Sequence, residues 1–129
     1  MRPVGSVESI LVVDDDDDTR DVLITLLEGE GYRVRAVSDA LHALAVLRSE
    51  HISLILLDLM MPGMNGRELR DQQLADPALA GVPVIAVTGD TTAVIENLLM
   101  VRKPFDAEYL LGAIRHELNH AAPPSRRRR

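Results

Sequence analysis

Asp14, Asp15, Asp58, Thr88 and Lys103 each stand at or just past the carboxyl end of an aliphatic run. Ser9-Ile-Leu-Val-Val13 ends in five consecutive aspartates, Asp14 to Asp18. The run from Ile52 to Leu57 ends at Asp58, and Met-Pro62-Gly then stops any strand. Val82 to Val87 ends in Thr88, and Leu98 to Arg102 leads into Lys103. If these runs are parallel strands, their carboxyl ends share one edge, the edge at which open α/β sheets bind ligands. Three carboxylates gathered there make a hard oxygen site suited to Mg²⁺, with Mn²⁺ as the alternative. A lysine adds a fixed positive point and a threonine adds one hydrogen bond. Together they could neutralise a phosphoryl group arriving on a carboxylate, the electrostatic work that phosphoryl transfer requires.

The elements that would position these groups are legible in the periodicity. After the aspartates, Val22, Leu23, Leu26 and Leu27 fall on one helical stripe. Asp17 or Asp18 can cap that helix, and Gly29 and Gly31 end it. Tyr32 to Val37 alternates as a second strand, and Ser38 or Asp39 caps a helix with Ala40, Ala43, Leu44 and Leu47 on its apolar face. Asn65 with Glu68 forms a capping box for a helix over about Gly66 to Leu74. Gly89 to Asn97 has room for about two helical turns at most. A last helix starts near Asp106 and buries Tyr109, Leu110, Ile114 and Leu118. Strands alternating with helices imply a doubly wound, five-stranded parallel sheet with helices on both faces. The expected layout is a flexible lead over 1–8, one domain over 9–120 and a disordered Arg-rich tail over 121–129.

Bulk composition narrows the function classes. The chain has 129 residues, 47% of them hydrophobic but only 2% aromatic, so aliphatic side chains must fill the core. It has no cysteine, which removes disulfides, thiolate metal sites and a Cys nucleophile. No apolar run reaches the ~20 residues needed to span a bilayer, and the start lacks a signal-peptide core. A cytoplasmic protein with no membrane role is therefore expected. The net charge is −6, but Arg126 to Arg129 supply four of the 14 basic residues, and without them the body is at −10. Such a body is not expected to bind DNA directly.

The strings Ile-Leu-Val-Val-Asp14-Asp15-Asp16, Leu-Leu-Asp58-Leu-Met-Met-Pro62-Gly-Met-Asn-Gly66, Pro-Val-Ile-Ala-Val-Thr88-Gly and Arg-Lys103-Pro104-Phe105 resemble the receiver domain of two-component response regulators. The resemblance runs from about residue 8 to 119. It implies a flavodoxin-like fold with strand order 2-1-3-4-5. It implies Mg²⁺-dependent phosphorylation of Asp58 by a histidine kinase or a histidine phosphotransfer protein, and a protein target downstream. A homodimer is left open. The same resemblance implies that Asp15 ligates the metal directly, Asp14 acts partly through water, and the Met60 backbone carbonyl is a further ligand. Lys103 would pair with the phosphoryl oxygens, Thr88 would turn inward to report them, and the Lys103–Pro104 bond would be cis. Such a domain takes part in its own phosphotransfer and dephosphorylation but is otherwise no enzyme.

Some positions depart from the family pattern. Only 14 residues separate Thr88 from Lys103, so the family's fourth helix is expected to be short or absent. Met100 stands where an aromatic switch residue is usual, which favours a switch through ordering of the loop after Thr88. Met60 cannot orient an attacking water, so slow self-dephosphorylation is expected; Asp90 is the one candidate to offset that. His42, His51, His116 and His120 read as scattered and unpaired. The leading expectation is a phosphoryl-accepting module with no output domain in this chain: a stand-alone regulator, a relay module or a fragment of a longer protein. The alternative is a receiver-fold interaction module that works without phosphorylation. A haloacid-dehalogenase-like phosphatase is disfavoured, because Asp58-Leu59-Met60 lacks that family's Asp-x-Asp and there is no cap domain.

Overall fold

The first strand, β1 (Ser9–Val13), is aliphatic on both faces, as a strand covered on both sides must be. The computed structural model describes residues 7–60, 66–89 and 98–120. In chain order β1 is followed by α1 (Asp17–Gly29), β2 (Arg33–Val37), α2 (Ala40–Ser49), β3 (Leu54–Leu57), α3 (Gly66–Ala75), β4 (Val84–Thr88), β5 (Leu99–Arg102) and α4 (Ala107–His120). The five strands form one parallel sheet in the order β2-β1-β3-β4-β5. Sheet order and class are those expected. The shortened helix expected before Lys103, Asp90 within it, the Asn65 cap, and the tail over 121–129 all lie outside the described residues.

Alternate residues of the strands face opposite layers. Leu11, Val13, Ile55, Leu57, Val84 and Ala86 pack with α2 and α3. Ile10, Val12, Leu54, Leu56, Ile85 and Val87 pack with α1 and α4. Helices therefore cover both faces; β3 and β4 are buried throughout, and β1 from Ile10 to Val13. Each fully buried Leu or Ile contributes roughly 1.5–3 kcal/mol by leaving water, which makes these central strands the rigid base of the molecule. Edge strand β2 instead exposes Arg33 and Arg35, charges that discourage pairing with another sheet.

Helix ends follow local chemistry, with three corrections to the expected detail. Asp16, rather than Asp17 or Asp18, caps α1: its side chain accepts the Thr19 N–H at 2.9 Å. The bond from the Thr19 hydroxyl, and then that N–H, hold the Asp16 carboxyl below its ordinary pKa. Asp39 caps α2 through the His42 N–H at 2.8 Å. Gly31, just past α1, has φ +91, a conformation that favours glycine. Val22 and Tyr109, expected on buried faces, are 56% and 58% exposed. Leu23 and Leu27 carry the α1 contact, and Leu110, Leu111 and Ile114 carry that of α4.

In α3 the third core position is polar. Gln73 is 1% exposed, and its amide nitrogen donates to the Leu79 and Val82 carbonyls at 2.9 and 2.8 Å. Its amide oxygen accepts from Arg70 at 2.8 Å. The side chain thus satisfies the turn that leads from α3 into β4.

Candidate functional site

The β1–β3 register fixes the centre of the site. Val13 pairs with Leu57, and the Asp58 N–H continues the ladder to the Val13 carbonyl at 2.9 Å. Asp14 and Asp58 are the next residues of adjacent parallel strands, so both emerge at one edge. The sheet order also reverses here, since β1 connects outward to β2 while β3 continues to β4 and β5. A crevice opens at such a switch point.

Both carboxylates are buried, Asp14 at 2% and Asp58 at 6% exposure. Each has its oxygens engaged on two sides. Asp14 Oδ1 accepts the Asp16 N–H at 2.9 Å, and Oδ2 accepts Lys103 Nζ at 2.8 Å. Asp58 Oδ1 accepts the Met60 N–H at 3.0 Å, and Oδ2 lies 3.4 Å from Lys103 Nζ. One ammonium therefore bridges the two carboxylates. Asp15 is exposed, yet a carboxylate oxygen from each of Asp14, Asp15 and Asp58 falls within 4.8 Å of the others. That spacing and all-oxygen donor set fit one hard divalent cation.

Lys103 reaches the site from the other side of the sheet centre. Its backbone N–H donates to the Thr88 carbonyl at 2.9 Å, extending the Thr88–Arg102 pairing by one residue. The Lys103–Pro104 bond is cis. Thr88, the last residue of β4, is completely buried. Met60 is 60% exposed at the rim, with its N–H turned to Asp58.

Burial pushes the Asp58 carboxyl above its ordinary pKa, and the Asp14 charge adds to that. The Met60 N–H and the Lys103 ammonium oppose the rise without cancelling it. Burial alone would lower the Lys103 pKa, but the hydrogen bond and charge of Asp14, with those of Asp58, hold it above the ordinary value. The site thus keeps a fixed cation beside a carboxylate made uncomfortable by desolvation. A carboxylate in that state gains from any added positive charge.

Two features of the site are not given by the sequence: the reach of Arg20 and the close approach of Gly66. Arg20 Nη1 donates to the Asp14 carbonyl at 2.7 Å while the same guanidinium pairs with Asp17, which ties the β1–α1 turn to α1. Its signal was faint: it is simply the first base after the acidic run. Gly66 starts α3 directly behind Asp58. A Cβ there would lie 2.3 Å from the Asp58 carbonyl oxygen and 2.7 Å from Leu59 Cα. Only glycine allows this approach. The histidines also need correction: His42 Nδ1 is 2.8 Å from Asp39, and the rings of His116 and His120 stack.

A parallel 2-1-3-4-5 sheet carrying acidic residues at its switch point, with a lysine from the end of β5 between them, defines the flavodoxin-like class of single-domain folds. The sequence matches the response regulator receiver domain family over residues 10–115, and the chain belongs to that family. It is 37% identical over 118 residues to the DNA-binding response regulator MtrA of Mycolicibacterium smegmatis, covering 86% of this chain and 50% of that protein. The sensory transduction protein RegX3 of the same organism is 34% identical over 121 residues, covering 88% of this chain and 52% of RegX3. The chain therefore spans about half the length of these curated relatives. Among solved structures, a CheY-like receiver domain protein from Methanospirillum hungatei superposes with a TM-score of 0.80 at 32% identity, over 88% of this chain and 95% of that one. Receiver domains are phosphoaccepting modules of two-component signalling. Among the described residues, no helix is long and apolar enough to cross a membrane.

Proposed function

We propose that Asp58 accepts a phosphoryl group from the phosphohistidine of a histidine kinase or histidine phosphotransfer protein. The observation that carries this reading is the Lys103 ammonium set between Asp14 and Asp58, beside a third carboxylate from Asp15. One oxygen of Asp58 attacks phosphorus in line; the new O–P bond forms as the P–N bond to the donor imidazole breaks. Asp14, Asp15 and Asp58, with the Met60 backbone carbonyl, would hold Mg²⁺ or Mn²⁺, which supplies charge neutralisation and orientation for the phosphoryl oxygens.

Before transfer, the Lys103 ammonium shields Asp58 from Asp14. After transfer, it turns to a phosphoryl oxygen, and the Thr88 hydroxyl takes a second. Met60 at the rim offers no group to activate water, which supports slow self-dephosphorylation. The phosphorylated form would then be read in the cytoplasm by a protein target or a second copy of this chain, not by contact of this acidic domain with DNA.

A beryllofluoride titration followed by amide NMR tests the reading. In the presence of Mg²⁺, resonances at Asp58, Thr88, Gly89 and Lys103 should shift together, and Asp58→Asn should abolish the response. No shift in the wild-type chain at saturating reagent would refute phosphoryl acceptance here and favour an interaction module.

A further inference from the structure

His116 and His120 lie four residues apart on α4, so they occupy one face of adjacent turns. Both are exposed. Their rings stack with centroids 4.0 Å apart and planes 26° from parallel. His120 Nδ1 lies 2.8 Å from the His116 backbone carbonyl. A carbonyl only accepts, so Nδ1 carries the proton, and in the neutral tautomer that this bond selects the lone pair is on Nε2. An imidazole fixed in this way, by donating its other N–H to a backbone carbonyl, is oriented as metal-ligating histidines are.

We propose that His116 and His120 form a chelating site for a borderline divalent transition cation of the Zn²⁺, Ni²⁺ or Cu²⁺ type. Imidazole suits these ions, whereas the all-oxygen cluster at Asp14, Asp15 and Asp58 suits Mg²⁺. The two sites differ in chemistry and lie on different elements, so this proposal stands independently of Asp58 phosphorylation. Two protein ligands leave the remaining positions of the ion to water or to an outside donor. The bound ion would link two successive turns of α4 at the end of the helix.

The test is calorimetric titration of the full, tag-free chain with Zn²⁺ in saturating Mg²⁺, with the imidazole resonances followed in parallel. One Zn²⁺ should bind, moving the ring signals of His116 and His120 but not those of His42 and His51. His116→Gln and His120→Gln should each weaken binding by roughly tenfold or more, with the double variant hardly worse than either single. Glutamine is a good helix former at these exposed positions, and circular dichroism should confirm that α4 persists. Unchanged affinity in the double variant would overturn the proposal. So would single effects that simply add, because independent binding by two histidines is not chelation.

Discussion

At Asp58 one carboxylate balances opposing demands. Its burial and the neighbouring Asp14 charge raise its pKa, while the Met60 N–H and Lys103 resist. The folded protein therefore holds the Asp58 proton more tightly than the unfolded chain does. Stability from this group is lost as pH rises from the ordinary value of 3.8 through the raised folded value. Asparagine carries no charge at any pH and removes that loss. Without divalent metal, Asp58→Asn should raise the melting temperature at neutral pH by a few degrees, and the gain should vanish below pH 3.8. A melting curve at each pH checks this; an equal gain at both would mean that repacking, not charge, is responsible. Lys103 has the opposite profile. Its raised pKa means that its contribution is complete below its ordinary value of 10.5 and is lost as pH climbs through the folded value.

Elements place these residues, and they do so through backbone register more than through side-chain preference. The aliphatic runs made β1, β3 and β4 readable, because strands buried on both faces admit little else, while β5 buries only Val101 and is the weaker signal. Helix faces were less sharply readable. Val22 and Tyr109 sit at the margin of an apolar stripe, where periodicity does not say which side of the boundary a residue takes. Gln73 was missed because a polar residue in α3 reads as surface, and only the carbonyls of Leu79 and Val82 explain its burial. Gln73→Leu should cost roughly 1–3 kcal/mol by leaving those carbonyls unsatisfied, visible as a lower denaturant midpoint with an unchanged slope. Gly66 was legible as a helix start but not as a close approach, since contact between α3 and the Asp58 backbone is a property of the folded chain. Gly66→Ala should cost about 1–3 kcal/mol and also slow phosphorylation of an intact Asp58, because the atoms it meets are backbone. Normal phosphorylation kinetics in that variant would show that the β3–α3 connection does not set the position of Asp58.

For the whole molecule, topology turns residues far apart in sequence into one edge. Asp14 and Lys103 are 89 positions apart yet share a 2.8 Å ion pair. That convergence was legible because parallel strands leave no choice about where their carboxyl ends go. Arg20 and the His116–His120 stack were not, since each depends on a side-chain direction that spacing alone does not give. The most direct test of phosphoryl acceptance is intact mass after incubation with a small acyl phosphate and Mg²⁺, for the wild type and Asp58→Asn. The expected result is a single phosphoryl adduct on the wild type, absent from the variant and absent when the metal is chelated. No adduct on the wild type, or one that survives in Asp58→Asn, would contradict it.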